Sequence, residues 1–143
     1  MLNLALEEAK KARDKGEVPV GAVIVKDGKV ISKAHNLRET LKDSTAHAEI
    51  LAIREACHKL NNWRLNGCEI YVTLEPCPMC AGAILQSRIS KIYIGTFDER
   101  TGASGSVVNI LQNPNLNHFL QVIWENDEEC SKILTEFFKD RRG

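Results

Sequence analysis

The 143-residue chain has no apolar run near the roughly 18 residues that suggest a membrane-spanning helix, so a spanning segment is excluded on composition. Its first residues, Met1-Leu2-Asn3-Leu4, lack the basic-then-apolar layout of a signal peptide, and the chain reads as cytoplasmic. It also lacks net charge, because 19 Lys and Arg balance 19 Asp and Glu. No general electrostatic footprint for nucleic acid follows from that balance. Any polyanion contact must be local, from Lys10, Lys11, Arg13 and Lys15 or from Lys139, Arg141 and Arg142, and the plain reading of each cluster is a solvated helix face. An even cysteine set is missing as well. Five cysteines without a secretory layout argue against a disulfide framework and for reduced thiols used in metal binding or packing. Repeats, linkers and low-complexity runs are absent, and the length fits one domain over residues 1–143 that buries roughly two thirds of its unfolded surface.

What is present alternates two periods. Leu2, Leu6, Ala9 and Ala12 recur at helical spacing, and Gly16 is placed to end that helix near Lys15 in a left-handed cap. Val18 to Val25 and Val30 to Ser32 read as strands, joined by Lys26-Asp27-Gly28-Lys29 as a tight hairpin turn. Asn36 to Ser44 reads as a polar loop. Ser44 or Thr45 then caps a helix carrying Ile50, Leu51, Ile53, Arg54 and Leu60, with His47 in its first turn. Ile70 to Leu74, Met79 to Gln86 and Lys91 to Thr96 read as strand, helix and strand, a βαβ unit with an expected right-handed crossover. Gly102, Ala103, Ser104 and Gly105 read as a flexible loop, and Phe119 to Trp124 as the last strand. Glu128 to Arg142 closes the chain as a helix anchored by a stripe of Cys130, Ile133, Leu134, Phe137 and Phe138. The pattern predicts an α/β layer fold with its chemistry at the carboxyl end of a strand, where open α/β sheets place their ligands.

His47-Ala48-Glu49 and Pro76-Cys77-Pro78-Met79-Cys80 carry that chemistry. Cys77 and Cys80 stand three apart at a helix entrance flanked by prolines, so both sulfurs can point one way. The positive end of the helix favours the thiolate, which is the ligand form of cysteine. Two thiolates and an imidazole hold a zinc-type ion and leave a fourth tetrahedral position open, whereas structural sites fill all four. Glu49 is then a proton carrier beside the open position and not a ligand. Residues two apart diverge on a regular helix, so His47 and Glu49 converge only if the site lies at the helix mouth. The alternatives are a redox pair, or a structural zinc knot completed by His35, His58 or His118. Cys57, Cys68 and Cys130 read as buried small hydrophobes.

Three motifs carry a resemblance: Thr45-Ala46-His47-Ala48-Glu49-Ile50, Thr73-Leu74-Glu75-Pro76-Cys77-Pro78-Met79-Cys80-Ala81-Gly82-Ala83, and Thr101-Gly102-Ala103-Ser104-Gly105-Ser106. They resemble the bacterial tRNA-specific adenosine deaminases of the cytidine-deaminase-like superfamily. The likeness runs from Glu17-Val18-Pro19-Val20-Gly21-Ala22 to Asn117-His118, and the third motif with Phe137-Phe138-Lys139 is what leans toward the tRNA enzymes. The pairing of H-x-E with P-C-x-x-C is the recognised signature of zinc nucleobase deaminases, identified by likeness and not by spacing.

The resemblance implies a three-layer α/β/α fold with a mixed, roughly five-stranded sheet, a homodimer, and conversion of the wobble adenosine of an arginine tRNA to inosine. It implies zinc on His47, Cys77 and Cys80, hydroxide attack at C6 of the adenine, and Glu49 as the proton shuttle. Asn36 is implied to contact the target nucleoside, and Asn117 and His118 the anticodon loop. Asp98, just beyond a strand end, is a candidate for ribose selection, and Arg141 and Arg142 are candidates for phosphate contact. An anticodon loop offers unstacked bases, so a pocket reads their edges without opening a duplex. A deaminase of free guanine, cytosine or a nucleotide would use the same metal and glutamate and would lack an RNA-length groove.

Overall fold

The computed structural model describes residues 1–142. Its first helix, α1 (Leu2–Asp14), ends as the sequence predicts. Gly16 has φ +77°, its N–H reaches the Arg13 carbonyl, and the Glu17 N–H reaches that of Ala12. That pair of bonds is a Schellman closure. β1 (Gly21–Lys26) and β2 (Lys29–His35) form the expected hairpin. Asp27 and Gly28 both take positive φ, as a two-residue primed turn requires.

β2, the strand ending at Leu74 and the helix ending at Gln86 run longer than expected and the last strand shorter, and two further departures have a tertiary reason. The strand expected from Val18 begins only at Gly21. Pro19 turns the chain so that the Val20 N–H bonds the Val18 carbonyl, and Asn36 claims the Val18 and Val20 carbonyls. The polar stretch read as loop contains a helical turn, α2 (Arg38–Leu41). The buried Glu17 carboxylate holds it by accepting from the Glu39 N–H at 3.1 Å and the Thr40 N–H at 2.6 Å.

The remaining elements are α3 (Ala48–Leu60), β3 (Cys68–Leu74), α4 (Pro78–Gln86), β4 (Lys91–Thr96), β5 (Gln121–Trp124) and α5 (Glu128–Arg142). They form one mixed sheet in the order β2-β1-β3-β4-β5. β1 is antiparallel to both β2 and β3, and β3, β4 and β5 run parallel. Period-two alternation assigns the layers. Ala22, Ile24, Ile70, Val72, Ile92 and Ile94 face the core shared with α3 and α4. Val23, Val25 and Tyr71 face the opposite side with Ala5 of α1, while Ala9 of α1 packs with Ile133 and Leu134 of α5. The result is the expected α/β/α sandwich. At Gly21 a Cβ would collide with the Ala5 carbonyl, so the absence of a side chain is what lets α1 lie close on β1.

Cys68 and Cys130 are fully buried, as expected of small hydrophobes, whereas Cys57 is half-buried with its Sγ 3.7 Å from the Trp63 carbonyl. The stripe on α5 anchors through Cys130, Ile133 and Leu134 only. Phe138 is 43% exposed and borders a cavity instead of the core.

Candidate active site

The first helix turn expected to hold His47 is not where the residue lies. His47 is the residue before α3, in an extended conformation with φ −77° and ψ 154°, and Glu49 is the second residue inside the helix. Ser44 and Thr45 do not cap α3. Asp43 closes a separate turn there by accepting from the Thr45 N–H and hydroxyl. The change of backbone conformation between His47 and Ala48 is what lets two side chains a dipeptide apart converge. Cys77 mirrors this arrangement before α4, with φ −72° and ψ 172°, and Pro78 opens that helix. The fixed φ and missing N–H of Pro78 suit that position. Two helix mouths therefore meet at the carboxyl end of β3.

His47 Nδ1 lies 3.7 Å from Cys77 Sγ and 3.5 Å from Cys80 Sγ, and the three candidate ligand atoms all fall within 4.8 Å of one another. A tetrahedral zinc with ordinary bond lengths would place nitrogen and sulfur about 3.6 Å apart. The donor set fits that ion. The histidines considered as a fourth ligand are committed or remote. His35 bonds Glu8 and Lys15, His118 bonds the Ile89 carbonyl, and His58 lies in the last turn of α3.

The electrostatics suit a metal and a proton carrier. The Cys77 thiol is held down at about 4 by hydrogen bonds from Cys80 and His47, which outweigh burial. Cys80 is pushed strongly up by its bond to Cys77 and by burial, and His47 is raised by its bond to Cys77. These directions make Cys77 the easier of the two sulfurs to ionise and Cys80 the harder. Glu49 is 4% exposed, and burial raises its carboxyl to about 7. A carboxyl near neutrality beside a nucleophile's site is suited to take and return a proton. The site opens into a cavity of about 650 Å³ lined by Asn36, Arg38, His47, Glu49, Cys77 and Phe138, among others. That volume lies in the usual range for a small-molecule pocket.

The MafB19-like deaminase family matches residues 1–142. The chain is 58% identical over 144 residues to the tRNA-specific adenosine deaminase of Aquifex aeolicus (strain VF5), covering 99% of this chain and 94% of that protein. It is 53% identical over 139 residues to the protein of the same name from Bacillus subtilis (strain 168), covering 96% and 86%. The chain belongs to the tRNA-specific adenosine deaminase family. A solved structure from work on A-to-I editing by tRNA:A34 deaminases at the wobble position of transfer RNA superposes with a TM-score of 0.89 at 46% identity, over 93% of this chain and 97% of that one. The protein is thus an enzyme, a hydrolase of a carbon–nitrogen bond, with the cytidine-deaminase-like fold.

In this deaminase the residues expected to touch substrate divide into two groups. Asn36 and Asp98 line the cavity. Asn36 is 8% exposed, donates from Nδ2 to the Val18 carbonyl at 3.2 Å and accepts from the Arg38 N–H at 3.1 Å, so its amide is rigidly set. The Asp98 carboxylate accepts from the N–H groups of Arg100 and Thr101 and from the Thr101 hydroxyl. It orders its own turn. Asn117 is exposed, His118 donates from Nε2 to the Ile89 carbonyl at 2.8 Å, and neither borders the cavity. Arg141 donates to the Gly16 carbonyl and lies 4.6 Å above the Phe137 ring. The Arg142 side chain lies outside the described structure.

Sequence reasoning passed over Glu75, which is 2% exposed and borders the cavity. It also took residues 102–105 for a flexible loop, although Gly102, Ala103 and Ser104 are buried. The two errors are one. The signal was available: a carboxylate at the end of a hydrophobic strand needs several donors, and Thr101-Gly102-Ala103-Ser104-Gly105-Ser106 is rich in them.

Proposed function

We propose that this deaminase hydrolyses the wobble adenosine of a tRNA anticodon loop to inosine and ammonia, with an arginine tRNA as substrate and zinc held by His47, Cys77 and Cys80. The observation that carries the reading is a three-ligand set with tetrahedral spacing beside a buried carboxyl, bordering a cavity of about 650 Å³. Bound there, zinc would supply a Lewis acid that lowers the pKa of water from about 15.7 toward roughly 7.

The remaining steps belong to the chain. Glu49 accepts a proton from the attacking water as its oxygen adds to C6 of the adenine. It passes that proton to the ring nitrogen N1 and carries the next to the departing amine, so one carboxyl acts as base and then as acid. Its burial keeps bulk water from competing for the proton. Asn36, locked by backbone partners at both ends of its amide, orients the nucleoside. Phe97 and Phe138 border the mouth at 51% and 43% exposure and present apolar faces to unstacked bases of a single-stranded loop. Arg141, although tied to Gly16, stays exposed beside this mouth's helix and is proposed to meet the RNA backbone. We further infer a cytoplasmic homodimer. No helix among the described residues is long and apolar enough to cross a membrane, and Val107, Val108 and Phe119 supply exposed apolar surface for a second copy.

The test is direct. An arginine anticodon stem-loop with a wobble adenosine should yield inosine, and free adenosine, cytidine and guanine should be poor substrates. Efficient turnover of a free base with no product on the stem-loop would move the enzyme to the free-base class.

A further inference from the structure

The motif Thr101 to Ser106 is not absorbed by the chemistry at zinc and Glu49, yet the fold devotes a buried charge to it. Glu75 leaves the end of β3 two residues before Cys77 and is 2% exposed. Its Oε1 accepts from the Asp98 N–H at 2.9 Å and from the Ser106 hydroxyl. Its Oε2 accepts from the N–H groups of Ser104 at 2.9 Å and Ser106 at 3.1 Å. All four donors are uncharged and all come from one loop. A buried carboxylate without a cation is tolerated only when its lone pairs are filled in this way.

The arrangement has a second tier. The Asp98 carboxylate in turn holds the N–H groups of Arg100 and Thr101. Phe97, Asp98, Arg100 and Thr101 line the cavity, so this part of its wall takes its shape from Glu75 through Asp98. Gly102 fits the scheme, since a Cβ there would strike the Glu75 carboxylate and the Asp98 carbonyl. The motif reads as a receptor for one carboxylate.

We infer that Glu75 is a positioning residue, whose buried carboxylate holds the 97–106 loop as a preformed wall of the RNA-binding cavity and thereby sets affinity for the stem-loop without touching the reacting atoms. The inference rests on the anticodon stem-loop being the substrate. A preformed wall avoids the cost of ordering a loop when RNA binds, so losing it weakens binding more than it slows chemistry.

The experiment compares the wild-type zinc enzyme with Glu75→Gln, which keeps the shape but turns an amide N–H₂ toward N–H donors. KM for the stem-loop should rise about tenfold or more, kcat should fall by less than threefold, and zinc content should stay at one per chain. Hydrogen exchange should quicken at the amides of Asp98, Ser104 and Ser106. Ser106→Ala, which deletes a single hydroxyl donor at an exposed position, keeps the test decisive if Glu75→Gln does not fold. It should give a smaller rise in KM with the same kcat. Unchanged KM in folded variants, or a lowered melting temperature with wild-type KM, would overturn the inference, as would loss of zinc together with activity. A wild-type enzyme inactive on the stem-loop would refute the proposed substrate instead, so the two failures are distinguishable.

Discussion

Changing Glu49 to Gln preserves the length and shape of the side chain and removes its capacity to take a proton. The size of the effect follows from what else borders the cavity. Glu75 has four donors on its carboxylate and Asp98 has three, so both are committed to the loop, whereas Glu99 also lines the cavity and is exposed. Glu49 itself is buried, which limits rescue by bulk water. Loss of a positioned acid–base group is worth about a hundredfold to ten-thousandfold, about 3–5 kcal/mol of barrier. The assay is single-turnover inosine formation on the stem-loop with enzyme in excess, alongside zinc determination on the same sample. Glu49→Gln should hold one zinc per chain and react about a hundredfold or more slowly. The matching control is the double variant Cys77→Ala, Cys80→Ala, which should lose zinc and unfold more easily, because ligand binding is coupled to folding. A Glu49→Gln enzyme that loses its zinc would make the residue a ligand, and one within tenfold of wild type would show that another group carries the proton. Full zinc occupancy in the double cysteine variant would end the metal assignment.

Two further outcomes are expected. Although burial alone would raise the Glu17 carboxyl, hydrogen bonds from Thr40 and Glu39 hold it below the ordinary carboxylate value. A lowered folded pKa means that its stabilising contribution is complete above the unfolded value of about 4.3 and is lost as pH falls through the folded one. Denaturant unfolding should therefore separate wild type from Glu17→Gln near pH 6, with the gap narrowing as pH falls below the unfolded value, and a gap independent of pH would refute the linkage. For Arg141→Ala, stem-loop affinity measured over a salt series should show a logarithmic slope smaller by about 0.7–0.9 if one phosphate contact is lost, at unchanged zinc content. An identical slope would assign the guanidinium wholly to the Gly16 carbonyl and the Phe137 ring.

Segments that carry their own local signal are legible in the amino-acid sequence. β4 and α5 occupy the residues that apolar periodicity indicates, and Asp27-Gly28 makes the turn its backbone preference favours. The misread segments share a different property. Val18 to Val20 is turned away from β1 by Pro19 and by bonds to Asn36, α2 is held by Glu17 from 22 and 23 residues away, and the 101–106 loop is organised by Glu75 from as far as 31 residues. In each case the backbone groups are claimed by a partner distant in the chain. A window of neighbouring residues contains no trace of such a partner, so propensity returns loop where the fold has order.

The same distinction separates the parts of the active site. Thiolate and imidazole ligands are chemically restrictive, and few other roles explain two cysteines at a proline-flanked helix entrance together with a distant histidine. The convergence of His47, Cys77 and Cys80 is accordingly readable, and the missing step is only the extended backbone at His47 that brings Glu49 alongside. Asn, His and Arg are permissive, because each satisfies a protein carbonyl as readily as a nucleotide. Asn36 has its amide fixed by Val18 and Arg38 and still borders the cavity. His118 and Arg141 show the same residue types turned toward the carbonyls of Ile89 and Gly16. For such residues the deciding quantity is whether donors remain after the fold has used its share, and that is a property of the assembled molecule, which the linear order of residue types does not carry.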